Sequence, residues 1–218
     1  MEKLHLDILD EERKDTFQKL SAFRSVGFLS GGTALALQLG HRVSYDFDIF
    51  CSKEISPMFA TKVQKEMRVK EVVVNSSDEF TFLTEHDIKV SFIFYPFDLK
   101  KYLFEFSEVP LQLISPLGAA ITKAYALNRR NAWRDYVDLY MILKMKIATL
   151  EDIVREACVV FDGLFNEKLF LAQLVYTQDI SEAEIKGTQM IKLATLQEVA
   201  DFFEKEVDAY VKRKLDRI

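Results

Sequence analysis

Leu29-Ser30-Gly31-Gly32-Thr33-Ala34-Leu35, followed after a short gap by Arg42-Val43-Ser44-Tyr45-Asp46-Phe47-Asp48-Ile49-Phe50, is the stretch from which the rest of the chain can be read. In its second half the residue period becomes two. Asp46 and Asp48 project from one side of a strand, Phe47 and Ile49 from the other. Along the backbone that places the carboxylates about 6–7 Å apart, close enough to converge on one divalent cation or a closely spaced pair. Magnesium takes hard oxygen ligands, and one or two carboxylates suffice when phosphates and waters complete the shell. Two such ions can brace the attacking and leaving oxygens of phosphoryl transfer. Alternating aspartates alone are commonly a solvated strand edge. Here Phe47, Ile49 and Phe50 anchor the strand in a core and hold the carboxylates rigidly.

The first half of the stretch supplies the second component. Paired glycines opening a helix let backbone N–H groups approach an anion, and the helix N-terminus favours negative charge. Thr33 adds a hydroxyl to the same cradle, and the helix it opens runs to Leu39 and stops at Gly40. A glycine pair before a helix is often a plain turn. A glycine pair, a short helix and then a rigid Asp-x-Asp together describe a phosphate cradle facing a metal site.

Outward from this core, residues 10–27 read as an amphipathic helix, with Phe17, Leu20 and Phe23 at helical spacing. A helix over 58–67 is followed by strands near 69–75, 79–84 and 88–95, joined by turns too short for parallel crossovers and therefore an antiparallel meander. From Ser115-Pro116 the pattern is helical, with Ser115 as N-cap and Pro116 at the first helical position. Helices are expected near 116–128, 132–145, 150–160, 166–175 and 195–215. The fold class is thus α+β for residues 1–112, with a mixed, mostly antiparallel sheet, and helical for 113–218.

Bulk composition narrows the function classes. The chain has 218 residues, 49% hydrophobic and 29% charged, which suits a globular protein with a sizeable core. A net charge of −5 excludes a surface devoted wholly to nucleic acid, so any such substrate must meet a local patch such as Arg129, Arg130 and Arg134. Cys51 and Cys158 lack zinc spacing and are expected to be buried, inert thiols. No signal-peptide core or membrane-length apolar run occurs, so a cytoplasmic protein with no membrane partner is expected. His5, His41 and His86 are scattered, and His41 is expected in a surface loop. The wealth of aromatic residues, including Phe92, Phe94 and Phe97, is expected to be core rather than a base-stacking platform.

The two halves of the opening stretch resemble the core signature of the AbiEii/AbiGii-type nucleotidyltransferases, within the DNA polymerase β-like superfamily. These are toxins of bacterial abortive-infection and toxin–antitoxin systems. A later run, Lys123-Ala124-Tyr125-Ala126-Leu127 and Arg134-Asp135-Tyr136-Val137-Asp138-Leu139-Tyr140, is similar to the family's Lys and Arg-Asp-x-x-Asp-Leu motifs. The resemblance covers residues 25–145. It implies a nucleotidyltransferase moving a nucleoside monophosphate group from a nucleoside triphosphate to an RNA (for example tRNA) or protein hydroxyl. Mg2+, with Mn2+ as substitute, would be the cofactor, and an antitoxin protein a partner. Ser30, Gly31, Gly32 and Thr33 would hold the triphosphate, Arg42 and Ser44 would border it, and Asp46 and Asp48 would ligate metal. Lys123 would reach the triphosphate, with Arg134, Asp135 and Asp138 lining the facing wall and Asp138 joining the catalytic set.

Read without the resemblance, Arg134 and Asp138 are four apart on a helix and could simply pair. Lys123 sits just off the stripe Leu117, Ala120, Ile121, Ala124 and Leu127, and could be a snorkelling surface lysine. One departure from the family pattern stands out. The position expected to hold a third carboxylate is Ser91, with Asp87, Asp98 and Asp138 as substitutes. The alternative to a working transferase is therefore a nucleotide-binding homologue of weak or no activity, acting as an interaction module.

Overall fold

The computed structural model describes residues 4–107 and 109–216, and the chain divides into two compact units, Met1–Ser115 and Pro116–Ile218.

In the first unit, Asp10 caps helix α1 (Glu11–Lys19) by accepting from the Arg13 N–H. The helix expected over 10–27 is shorter than its pattern. After Lys19 the chain tightens into a 3-10 turn, Leu20–Phe23, that turns Phe23 wholly inward. Strand β1 (Gly27–Ser30) then leads directly into helix α2 (Gly31–Leu39), which ends on the left-handed Gly40. β2 (Phe47–Cys51) and helix α3 (Phe59–Glu66) follow, and then the antiparallel meander β3 (Val69–Asn75), β4 (Glu79–Thr84) and β5 (Lys89–Phe94). Two-residue strands β6 (Leu103–Phe104) and β7 (Leu113–Ile114) close the unit.

The seven strands form one mixed sheet in the order β3-β4-β5-β2-β1-β7-β6. Among the described residues, β1–β7 and β2–β5 are the parallel pairs. The β2–β5 pairing decides the site, because it sets Asp48 beside Ser91 and Phe47 beside Val90.

Alternation divides the faces of this sheet. Phe47, Ile49, Val90, Phe92, Phe80 and Phe82 point to a side where they are almost fully buried. That side is covered by Phe17, stacked on Phe47 at 5.7 Å, and by Phe23 and Phe59, which lie 5.0 and 4.8 Å from the Phe92 ring. Each buried phenyl contributes roughly 1.5–3 kcal/mol of transfer free energy, so the face behind the carboxylates is rigid. Asp48 and Ser91 point the other way.

The second unit contains α4 (Pro116–Leu127), α5 (Trp133–Lys144), α6 (Leu150–Phe161), α7 (Glu167–Val175), α8 (Glu182–Gly187) and α9 (Leu196–Leu215). α6 and α9 begin with capping boxes, Thr149 with Asp152 and Thr195 with Glu198. The short α8, capped by Ser181, was not expected from the pattern, since six residues carry too little periodicity. Trp133, Tyr136, Phe161, Phe170 and Phe203 fill the unit's core.

Candidate active site

The glycine turn and the carboxylate pair meet in the first unit through the antiparallel β1–β2 pairing, which sets Ser30 opposite Asp48. Gly31 has φ +64°, a conformation that L side chains avoid. A Cβ there would also come within 2.5 Å of the Asp48 Oδ2. A Cβ on Gly32 would collide with the guanidinium of Arg42. Both glycines are therefore required by close approach, one to an acid of the pair and one to a buried cation.

Ser30 stands at the N-cap of α2, yet its side chain makes no capping bond. Its hydroxyl oxygen is buried without a hydrogen-bond partner. The first N–H groups of a helix lack intrahelical acceptors, so α2 begins with donors that this cap side chain leaves to another acceptor. An orphaned hydroxyl beside open donors suits a polyanion.

Thr33 plays a different part from the open hydroxyl expected of the cradle. It is 1% exposed, and its Oγ1 lies 2.8 Å from Ser44 Oγ and within reach of the Asp46 carbonyl oxygen. It therefore ties the loop before β2 to α2 and fixes the backbone of Asp46. Arg42, 2% exposed, donates to the Val43 carbonyl at 3.0 Å while its other terminal nitrogen sits under Gly32. His41 is fully buried, not in a surface loop, because the chain turns inward immediately after Gly40.

Both acids are half-buried. Lys89, at the start of β5, places its ammonium 3.2 Å from the Asp46 carboxylate. Ser91 is 3% exposed and its hydroxyl lies 2.9 Å from that of Thr81, which donates to Glu79 at 2.5 Å. The β5 positions flanking the pair thus carry a cation and a neutral hydroxyl. Of the substitutes, Asp87 is exposed at a turn and pairs with Lys70, and Asp98 is exposed beyond the end of β5. Among the described residues no group of three or more His, Cys, Asp or Glu is gathered around a metal position. The donor set still fits a divalent cation that brings phosphate oxygens of its own, since two carboxylates are what magnesium then needs. Lys89 was missed in the sequence, although the signal was there: with Ser91 beside Asp48, a period of two sets Lys89 toward Asp46.

In the second unit, Lys123 is 7% exposed and ion-paired with Asp135 at 2.7 Å and Asp138 at 2.6 Å, both nearly inaccessible. The surface-lysine alternative is therefore wrong: α4 and α5 close over the ammonium. Arg130 adds a contact of 2.9 Å to the other Asp135 oxygen. Burial alone would raise the Asp135 carboxyl, but the charges of Lys123 and Arg130 outweigh it and hold the group below its ordinary value. Arg134 is exposed, and the pairing with Asp138 that its spacing allowed is replaced by the Lys123 contact. Arg129 stacks on Tyr125, 3.6 Å from the ring centroid. Cys51 is buried, and burial pushes its thiol up to about 11. Cys158 is exposed, contrary to expectation, because it faces outward from α6.

The family model for the nucleotidyl transferase AbiEii toxin of type IV toxin–antitoxin systems matches residues 18–214. An uncharacterized protein of Aquifex aeolicus (strain VF5) is 26% identical over 211 residues, covering 93% of this chain and 98% of the relative. MenT4, a nucleotidyltransferase toxin from Mycobacterium tuberculosis H37Rv, is similar in structure with a TM-score of 0.59 at 16% identity, over 88% of this chain and 78% of that one. JHP933 from Helicobacter pylori gives 0.51 at 16% identity, over 97% and 99%. The likeness to MenT4 shows the nucleotidyltransferase type of fold that the resemblance implies. No described helix is long and apolar enough to cross a membrane.

Proposed function

Because the chain belongs to the family of AbiEii nucleotidyl transferase toxins, we propose that it transfers a nucleoside monophosphate group from a nucleoside triphosphate to an acceptor hydroxyl, with a divalent cation as cofactor. One observation carries this reading. The α2 N-terminus, left uncapped by Ser30, abuts Asp48 through a left-handed glycine whose Cβ would fall 2.5 Å from that carboxylate. A plain turn has no need of an acid within 2.5 Å of a missing Cβ.

In the reaction, the acceptor oxygen forms a bond to the α-phosphorus as the bond to the β-phosphate oxygen breaks. Pyrophosphate leaves, and the hydroxyl proton passes to water. The α2 donors and Ser30 hold the leaving phosphates, Arg42 lends its charge from beneath Gly32, Ser44 borders them, and Thr33 keeps Asp46 in place. Asp46 and Asp48 would hold Mg2+ or Mn2+, which supplies charge neutralisation at the phosphates. The remaining catalysis is positioning and electrostatics. The same reading gives Lys123 to the triphosphate, with Asp135, Asp138 and Arg134 in support. What favours it is cost: a buried Lys with two buried Asp is no more stabilising than apolar packing would be, so stability alone does not account for it. An antitoxin partner follows from the family.

A second reading is favoured by Lys89 and Ser91, which leave the pair without a third acid. It is a nucleotide-binding homologue of weak activity.

Incubating the protein with each α-labelled triphosphate, magnesium and total RNA or protein separates the two. Label transfer lost in Asp46→Ala and Asp48→Ala supports the transferase. Nucleotide binding with no transfer under any pairing, with magnesium or manganese, rules it out.

A further inference from the structure

The carboxylate face of the sheet does not end at Asp48. Two residues further along β2 the same face carries Phe50, with Phe28 opposite it on β1. One such step is about 6.7 Å. The Phe28 and Phe50 rings lie 6.0 Å apart edge to face, Tyr95 stacks on Phe50 at 4.2 Å and 17°, and Phe97 meets Tyr95 at 5.1 Å. All four rings are half-buried, whereas Phe47, Phe80, Phe82 and Phe92 on the opposite face are closed off. The expectation that Phe97 is core is corrected here. These rings line a cavity of about 410 Å³, within the range of about 300–1,000 Å³ usual for small-ligand sites. Arg24, Lys100, Gln112 and Asp98 also line it, with Arg24 3.4 Å from the Glu105 carboxylate and Gln112 donating to it at 3.0 Å.

We propose that this cavity binds an unpaired nucleobase of a single-stranded nucleic acid presented to the carboxylate pair. The inference rests on the transferase reading above and gives its acceptor a binding site on this chain. Aromatic rings with nearby cations are the chemistry by which single strands are held, since every base offers a π face and every linkage a phosphate. Amide and carboxylate groups in the lining match the hydrogen-bonding edges of a base.

The direction of the chemistry selects the acceptor over the triphosphate. Phosphoryl transfer is in line, with attacking and leaving oxygens on opposite sides of the phosphorus. With the leaving phosphates at the α2 turn, the attacking hydroxyl enters from the other side of Asp48, which is the side of Phe50. A base attached to that nucleotide then reaches the cavity.

The test uses the full chain and short fluorescein-labelled single strands of RNA and of DNA, with binding read by anisotropy without triphosphate. Tyr95→Ala and, separately, Phe97→Ala are compared with wild type, with thermal midpoints checked and Tyr95→Trp as the conservative variant. Expected is a loss of about tenfold in oligonucleotide affinity for the alanine variants, retention in Tyr95→Trp, and unchanged triphosphate affinity. RNA binding alone, or RNA and DNA together, supports the proposal and identifies the source of the base. Equal oligonucleotide affinity in wild type and both alanine variants overturns it, as does an absence of binding. A parallel fall in triphosphate affinity also overturns it, by placing the triphosphate's own base there. Ring-dependent oligonucleotide binding with no transfer of label under any condition would sink the transferase reading and leave the cavity assignment standing.

Discussion

Lys89 stands 3.2 Å from Asp46, so one acid of the carboxylate pair already has a resident counter-charge. Next along the same strand face, Ser91 sits beside Asp48 and brings no charge at all. Strand β5 thus supplies a cation and a hydroxyl where a third acid would complete a three-carboxylate site. The Lys89–Asp46 side chains are 43% and 31% exposed, and such a pair is worth about 0.2–1 kcal/mol. That is weak enough for an incoming cation with its triphosphate to displace the ammonium. It is also enough to disfavour a bare cation.

Metal affinity in the absence of nucleotide reads this directly. Lys89→Gln is expected to tighten Mn2+ binding by roughly two- to fivefold, the equivalent of an exposed ion pair. Ser91→Asp should tighten it further, by about tenfold, since it adds a hard oxygen ligand. The same variant should melt lower than wild type without metal, from the repulsion between neighbouring acids, and recover when Mn2+ is added. Titration calorimetry and thermal melts measure both. Unchanged affinity in two folded variants would show that neither position faces the metal.

Gly31→Ala tests the close approach at the turn. Left-handed backbone costs an L residue about 1–2 kcal/mol, and the new methyl would press on the Asp48 carboxylate. The expected protein folds, loses roughly that much stability to urea, and loses transfer by about a hundredfold, because a displacement of about 1 Å at a reacting group can cost that much. Activity close to wild type would mean that Asp48 is free to move aside.

Much of this is legible in the sequence. Asp46 and Asp48 announced themselves by a change of period, and Gly31-Gly32 by an otherwise glycine-poor chain, since both signals are local. The meander was legible because its turns are short. β1, β6 and β7 were not: strands of two to four residues carry no period, and they exist only because neighbours pair with them. The partners of Lys123 could not be read either. Its spacing on α4 is ambiguous, and only the packing of α5 decides that it faces Asp135 and Asp138. Phe50 and Phe97 looked like core for a related reason. Composition does not tell which face of a sheet is covered.

Thiol chemistry separates the two cysteines. Cys51 is buried with a thiol pushed up to about 11, while Cys158 is exposed on α6. In native protein, a maleimide or iodoacetamide label counted by mass spectrometry should appear on Cys158 alone. Both thiols should label in denaturant. Native labelling of Cys51 at a matching rate would show that β2 opens locally far more often than a strand packed between β1 and β5 should.

Lys123 gives a test whose sign can be stated in advance. In the wild type, Asp135 is held below its ordinary carboxylate value of 3.8, against the pull of burial, by Lys123 and Arg130. A carboxyl lowered on folding stabilises fully above that ordinary value, and the contribution is lost as pH falls through the lower folded value. Wild-type stability should therefore be level from pH 7 to 5 with respect to this group and fall only in strong acid. Lys123→Met removes the cation between two buried carboxylates, a loss of about 3–5 kcal/mol for a broken buried pair. Two acids then share a site with one fewer cation, so one of them is raised rather than lowered. The variant should gain stability on acidification from pH 7 to 5, where the wild type gains none from this cluster. Urea midpoints at both pH values decide it. Parallel pH profiles for the two proteins would mean that Lys123 does not set the ionisation of Asp135 and Asp138.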